Sequence, residues 1–269
     1  MERTYMLNRF IKDMKKHYKY AIYSAKAELK AEVAGSYLNW IWWILEPICF
    51  MFIYALIFGY VFNAKEQYFL PFIFIGITVW DFFSKNMKSS VKMVKKNKAI
   101  VSKVYIPKFI LVLSKMMVNG FKMFISFGII VIMMIVCRIP VGFQLFCIVP
   151  ILIVLCMLTF GFMCILLHYG VYVEDLANVV NIVLKLVFYL TGVFYSIETR
   201  LGKKYPVIAD VLEKFNPVAY IINASRESLI YKTTPDLPVL GVWFLASILF
   251  CLIGIRIIYK NENSYVKVI

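Results

Sequence analysis

Residues 145–169 read LFCIVPILIVLCMLTFGFMCILLHY, a run without a single Asp, Glu, Lys or Arg. A helix needs roughly 20 such residues to cross a hydrocarbon core of about 30 Å. Working outward from this run, five further apolar stretches of comparable character occur at about 37–62, 68–84, 111–137, 179–197 and 239–259. The chain as a whole is 62% hydrophobic and 17% aromatic, with a mean hydropathy of +0.78, which excludes an ordinary soluble domain. Backbone groups in lipid must be satisfied internally, so the runs are read as helices. The short alternating segments of a membrane β-barrel are missing. The expected fold is an all-α polytopic membrane protein with six transmembrane helices in one domain, 1–269.

Charge gives the expected orientation. Lys85, Lys88, Lys92, Lys95, Lys96, Lys98, Lys103 and Lys108 fall between the second and third runs with no acid among them. Arg3, Arg9, Lys12, Lys15, Lys16, Lys19, Lys26 and Lys30 precede the first run. Basic residues in short loops mark the cytoplasmic side, which puts both termini and the lysine block in the cytoplasm. The opposite loops are poor in charge: Lys65 is balanced by Glu66, and 138–144 has only Arg138. The net charge of +15 is largely this asymmetry, so no nucleic-acid partner is expected. The charged first 36 residues lack the apolar core of a cleavable signal peptide. Six cysteines lie in or beside apolar runs without a CxxC pair and read as small buried hydrophobes, with a Cys137–Cys147 bridge left open. His17 and His168 are the only histidines, and no metal site is expected.

Three segments outside the spans have patterns of their own. In residues 1–36, Ile11, Met14, Tyr18, Ile22, Ala25, Leu29 and Val33 recur at helical spacing opposite lysines, as in a helix lying in the membrane interface or packed on a partner. Lys85, Lys88, Lys92 and Lys95 share one face if 84–97 is helical, and Pro107 suits the start of the next helix. The run of polar residues Lys95–Lys98 is too costly in hydrocarbon for a voltage sensor; a solvated loop drawn to anionic headgroups is the plainer alternative. Segment 198–238 holds two short amphipathic stretches broken at Asn216-Pro217. They form either a pair dipping back into the outer leaflet or two helices lying flat on it.

Four stretches in succession resemble one known family, the permease subunits of type-2 ABC exporters for polysaccharide, teichoic acid or O-antigen. Ser36-Tyr37-Leu38-Asn39 leading to Trp42-Trp43-Ile44-Leu45-Glu46-Pro47 is similar to that family's entry into its first span, with Asn39 where Gly is usual. Asn97 through Ile100, Lys103 and Ile106-Pro107-Lys108 are similar to the segment after its cytoplasmic coupling helix. Glu174-Asp175-Leu176 resembles its R-D-L, with Glu for Arg. Tyr189, Thr191-Gly192-Val193-Phe194-Tyr195, Asn216-Pro217 and Arg226 follow its span-five exit and outer N-P, with Gly192 for a frequent Pro. The match runs in order over nearly the whole chain.

The resemblance implies an N-terminal interface helix over 1–36, a coupling loop over 84–108 and a re-entrant outer pair over 198–238. It implies ATPase contact through Lys88, Lys92, Lys95, Lys96, Asn97, Glu174 and Asp175, and an outer gate at Asn216, Pro217 and Arg226. Its partners would be two copies of an ABC ATPase, a second permease copy, membrane lipids and a lipid-linked glycan, in a bacterial cytoplasmic membrane. The residues agree on energy supply: no Walker motif occurs, Gly202-Lys203-Lys204 being the nearest text. ATP and magnesium are therefore expected on a separate chain, with no cofactor, metal or catalytic residue here. Among the aromatics that crowd spans one and five, Trp40, Tyr54, Phe58, Tyr189 and Tyr195 are candidates to line a path on which sugar rings stack; helix packing is the other explanation. Tyr60, Phe62 and Phe194 belong to the same crowd. An exporter of a drug or small lipid is the alternative within transport. A membrane glycosyl- or acyltransferase would have only Glu174-Asp175 as a catalytic pair.

Overall fold

The computed structural model describes residues 2–35, 37–61, 66–202 and 205–268. The expectations on Ser36, Phe62, Lys65, Lys203 and Lys204, and on the side chains of Arg3, Asn39 and Tyr60, lie outside the described residues. Among those described there is no strand. Helix α1 (Glu2–Val33) precedes a 3-10 turn, Asn39–Ile41, and α2 (Trp42–Ala55), which continues as a wider π turn over Leu56–Val61. Then come α3 (Phe69–Val91), two one-turn helices α4 (Met93–Lys96) and α5 (Lys98–Val101), α6 (Lys108–Val136), α7 (Ile148–Tyr172) and α8 (Leu176–Leu190). The last part holds α9 (Pro206–Phe215), α10 (Pro217–Arg226) and α11 (Leu237–Val268).

Trp42–Gly59, Lys108–Val136, Phe143–Tyr172 and Leu237–Tyr265 are each long and apolar enough to cross a bilayer. The chain is an integral, polytopic helical membrane protein. The two remaining expected spans fall short for visible reasons. α3 has 23 residues but carries Asp81, Lys85 and Lys88 in its second half, and α8 is apolar but 15 residues long.

α3 is the axis of the bundle, flanked by α2, α6, α7, α8 and α10. Phe72, Ile73, Phe74, Ile75 and Val79 are buried on successive sides of it. A helix enclosed by protein can hold polar groups that lipid would not accept. Asn119 Nδ2 of α6 donates to Asn86 Oδ1 at 2.9 Å, and Asn86 Nδ2 donates to the Phe82 carbonyl at 2.8 Å. α7 lies along α11, where Phe162 and Phe250 are 4.6 Å apart and Cys251 Sγ donates to the Met157 carbonyl at 3.0 Å. All six cysteines, Cys137 and Cys147 included, are free. His168 is bonded to the Tyr265 hydroxyl at 2.9 Å.

The apolar stripe of α1 is wider than its spacing alone indicated. Ala21 and Ala25 are buried and Phe10 lies 4.8 Å from Phe109 on α6, whereas Ile11, Tyr18 and Ile22 face outward. One flank of the stripe meets protein and the other is left apolar and uncovered. Ion pairs fix the inner flank: Lys115 Nζ to Glu28 at 2.5 Å and to Glu32 at 4.0 Å, and Lys122 Nζ to Glu32 at 2.5 Å. They explain how α6 accommodates two lysines. At the other end, Arg9 pairs with Glu262, Tyr105 donates to Glu262 at 2.9 Å and Tyr259 to Asp13 at 2.9 Å. These contacts tie α1 to α11 and to the segment before α6.

Residues 84–97 do not form the single helix that the lysine spacing suggested. α3 runs to Val91, breaks at Lys92 (φ −98°, ψ 9°) and resumes as α4. Met93 and Val94, just past the break, are both buried. Contact with α7 is close at this point, since a Cβ on Gly170 would meet Val91 Cα at 2.8 Å.

Glu32→Lys removes two of these three pairs with α6 and gathers three cations, so it should cost roughly 1–3 kcal/mol. The detergent-solubilised protein is expected to melt several degrees lower, and Lys122→Glu in the same chain should restore part of the loss.

Candidate functional site: a latch, an aromatic groove and a basic face

Arg226 is buried at the end of α10. Its Nε donates to the Phe72 carbonyl at 3.2 Å, Nη1 to Gly192 at 3.0 Å and Nη2 to Val193 at 2.6 Å. The guanidinium also lies 3.5 Å over the Phe72 ring, a cation–π contact. The planar fork thus joins the start of α3 to the turn after α8. That turn needs Gly192, whose φ is +65° and where a Cβ would meet Ile197 Cγ1 at 2.8 Å. Asn216 caps α10 by accepting from Val218 N at 3.1 Å and Ala219 N at 3.3 Å, and its Nδ2 donates to Thr191 Oγ1 at 3.2 Å. Pro217 occupies the first helical turn, where its missing N–H costs nothing. Asn216, Pro217 and Arg226, expected as one outer element, are brought together on one latch.

Of the two short helices here, α10 is the buried one; α9 leaves Val207, Ile208, Val211 and Phe215 exposed. Close by, burial first and Glu213 second push the Glu227 carboxyl up to about 7. Asn223 Nδ2 bridges the two acids, at 2.5 Å from Glu213 and 3.1 Å from Glu227.

Below the latch, α2, α3 and α8 enclose a groove of about 310 Å³. α3 contributes one face of three turns, Ile77, Trp80, Asp81, Ser84, Lys85 and Lys88, spaced so that they align. α2 adds Glu46, Phe50 and Tyr54, and α8 adds Leu184, Lys185 and Phe188. One end is charged: Lys85 Nζ lies 2.9 Å from Asp81 and 3.9 Å from Glu46. The other end is aromatic: Trp80 and Phe188 are 5.2 Å apart, and Phe194 stands 4.3 Å from Tyr54, 4.5 Å from Phe58 and 5.2 Å from Phe188.

Tyr54 and Phe58 therefore meet at one wall, as their spacing on α2 allows. Tyr195 donates to the Tyr189 carbonyl at 2.7 Å, and Tyr189 itself is exposed, 5.5 Å from Phe188. Trp40 stands apart, exposed on the turn before α2. Sequence reasoning missed Trp80, Phe188 and Lys185, and it did not bring Glu46 and Asp81 together around Lys85. A lone lysine inside a short apolar helix was the available signal for Lys185.

The basic face lies at the far end of α3. Lys88, Lys92 and Lys96 are exposed. Lys95 Nζ donates to Glu174 Oε1 at 3.1 Å, joining α4 to the turn before α8. Two of the residues expected to meet a partner thus meet one another. Asn97 Nδ2 turns back to the Met93 carbonyl at 2.8 Å, and Asp175 is exposed at the start of α8.

Arg226→Ala leaves the Gly192 and Val193 carbonyls without that donor, removes the tie to Phe72 and should cost roughly 3–5 kcal/mol. Arg226→Lys, which cannot reach all three, should fall between it and the native chain in thermal unfolding of the solubilised protein.

The comparisons with known proteins agree with this architecture. Residues 22–230 match the family model described as ABC-2 type transporter. Two proteins of Klebsiella pneumoniae called O-antigen export system permease protein RfbA are each 22% identical over 243 residues, covering 90% of this chain and 92% of theirs. A protein of the same name from Myxococcus xanthus is 27% identical over 228 residues, covering 85% of this chain and 86% of its own. With most of its length matched, from α1 through α10, the chain belongs to the ABC-2 type transporter family.

Proposed function

We propose that the chain is the membrane subunit of an ATP-driven exporter that carries a lipid-linked cell-surface polysaccharide of the O-antigen kind across the cytoplasmic membrane. The observation that carries this reading is family membership, joined to nearly full-length similarity to three O-antigen export permeases. In this reading α3 and α8 cross the membrane with the four longer helices, giving six spans. Both termini and the basic face are then cytoplasmic, as the lysine distribution favours. α9 and α10 form a re-entrant pair on the outer side.

Energy comes from two copies of a separate ATPase, which bind ATP and magnesium. Lys88, Lys92 and Lys96 offer them a basic docking face, while the Lys95–Glu174 pair keeps α4 beside the start of α8. Because α3 is one helix from the latch to Val91, movement at the basic face is passed along it to the groove. Tyr54, Phe58, Tyr189 and Tyr195, with Phe188 and Phe194, give sugar rings apolar faces to slide on without fixed bonds. The exposed apolar sides of α2 and α8 flank this wall, and a second copy of the chain would close the path there.

Lys92→Glu with Lys96→Glu should reduce co-purification of the ATPase at least fivefold, with permease abundance unchanged, and should stop glycan export. Full assembly and export in this variant would contradict the docking assignment. Deleting the chain should leave undecorated cells whose glycan accumulates inside. Normal surface glycan after deletion would refute the export reading as a whole.

A further inference from the structure

A second cavity, of about 290 Å³, lies away from the groove, between the loop before α6 and the end of α11. Its polar lining is Ser102, Lys103, Tyr105, Lys108, Glu262 and Asn263. α11 begins at Leu237, so Glu262 stands about 38 Å along it at 1.5 Å per residue. A hydrocarbon core is about 30 Å thick, which puts the cavity at the aqueous edge of the bundle. Lys108 is only 2% exposed there. Its Nζ donates to the Ile106 carbonyl at 3.2 Å and stands 5.9 Å from the centre of the Tyr105 ring. An ammonium has three N–H donors, and the described residues offer this one no second acceptor. A buried charge is costly unless it is paired. Glu262, the carboxylate of the lining, is already engaged: Arg9 pairs with one oxygen and the Tyr105 hydroxyl donates to the other at 2.9 Å. Asp13, 3.8 Å from Arg9, does not line the cavity. The Lys103 ammonium and the Asn263 amide have no partner among the described residues.

We propose that this cavity binds a soluble phosphate monoester. Lys103 and Lys108 meet the phosphate, Asn263 donates to it, and Val104 and Tyr105 flank the esterified group. Charge selects the class of ligand. With Glu262 offset by Arg9, the lining keeps two uncompensated positive charges. A phosphate monoester carries about −1.5 to −2 at pH 7, whereas a carboxylate or a phosphodiester carries a single charge. The volume is roughly ten times one water molecule's share of the liquid, room for a phosphate with a small organic group. α6 begins at Lys108, and the start of a helix is its positive end. A bound ester joins the loop before α6 to the end of α11 and gives the buried ammonium its missing acceptor. The site stands apart from the groove and does not rest on the export reading.

The test uses the full-length chain, purified in an uncharged detergent, with phenyl phosphate as the probe. Titration calorimetry should show one saturable site per chain. Lys103→Gln with Lys108→Gln should weaken binding at least tenfold. Lys103→Gln alone, at an exposed position, should weaken it at least threefold without lowering the melting temperature. Lys103→Arg should retain binding, and Lys12→Gln with Lys16→Gln, on α1, should leave it unchanged. Methyl phenyl phosphate, the singly charged diester, should bind at least tenfold more weakly than the monoester. Between about pH 7.5 and about pH 5 the ester loses its second charge, and affinity should fall at least threefold. Equal binding of the diester, binding that does not saturate, or affinity indifferent to Lys103 in a folded variant would overturn the proposal. Inorganic phosphate that binds as tightly as the ester would overturn the ester as ligand. Loss of phenyl phosphate binding in nanodiscs of phosphatidic acid, but not of phosphatidylglycerol, would overturn the soluble source.

Discussion

A single buried guanidinium sets the relation between the helices that matter most. Arg226 reaches three carbonyls, one at the start of α3 and two in the turn that follows α8. A charge in a bundle interior is tolerated where its donors are met. Here two of the three bonds also fix backbone that has no helical partner. The carbonyls of Gly192 and Val193 lie just past a helix end, and without Arg226 they would be orphans in an apolar setting. Gly192 and Asn216 serve the same arrangement, one by allowing the turn and the other by capping α10 against Thr191.

The groove depends on that latch. α8 meets the bundle along few residues: Val180 and Leu184 are its buried positions, and its other sides are open. Held at its end by the latch and at its beginning by Lys95–Glu174, it is positioned opposite α2 with α3 between them. The interior of the groove then follows from spacing. Residues 46, 50 and 54 of α2 and residues 77 to 88 of α3 each present one helical face. The order of charge and aromatic residues along each helix agrees because neighbouring helices run in opposite directions. A continuous α3 joins the basic face to this groove, and in the proposed exporter it is the element through which ATPase closure is felt.

Much of this was legible in the chain of residues. An uncharged run such as 145–169 can hardly be other than a span, and the lysine block fixes an expected orientation through its asymmetry alone. Asn216, Pro217 and Arg226 could be grouped because their sequence pattern is local and resembles a known family. The partners of Arg226 were not legible, because they are main-chain carbonyls and carbonyls have no sequence signature. The lysine period over 84–97 suggested one helix; the chain breaks at Lys92, with Met93 and Val94 buried just beyond it. Trp40 has the composition of a path residue but sits before α2, apart from the groove. Lys185 and Lys122 belong to no sequence pattern within their apolar runs, and only the packing of α8 beside α3 and of α1 beside α6 gives them a setting. Periodicity names the face of a helix, while the identity of the helix opposite comes from tertiary structure.

The claim on which the account turns is that the space between α2, α3 and α8 is the route of export. Ser84 lines that groove, and Ile182 on α8 faces away from it. A chain lacking its six native cysteines and carrying either Ser84→Cys or Ile182→Cys can be modified with a bulky methanethiosulfonate while surface glycan is followed. The account predicts that complete modification at 84 stops export, that reduction restores it, and that modification at 182 has little effect. Undiminished export with position 84 fully modified would contradict it.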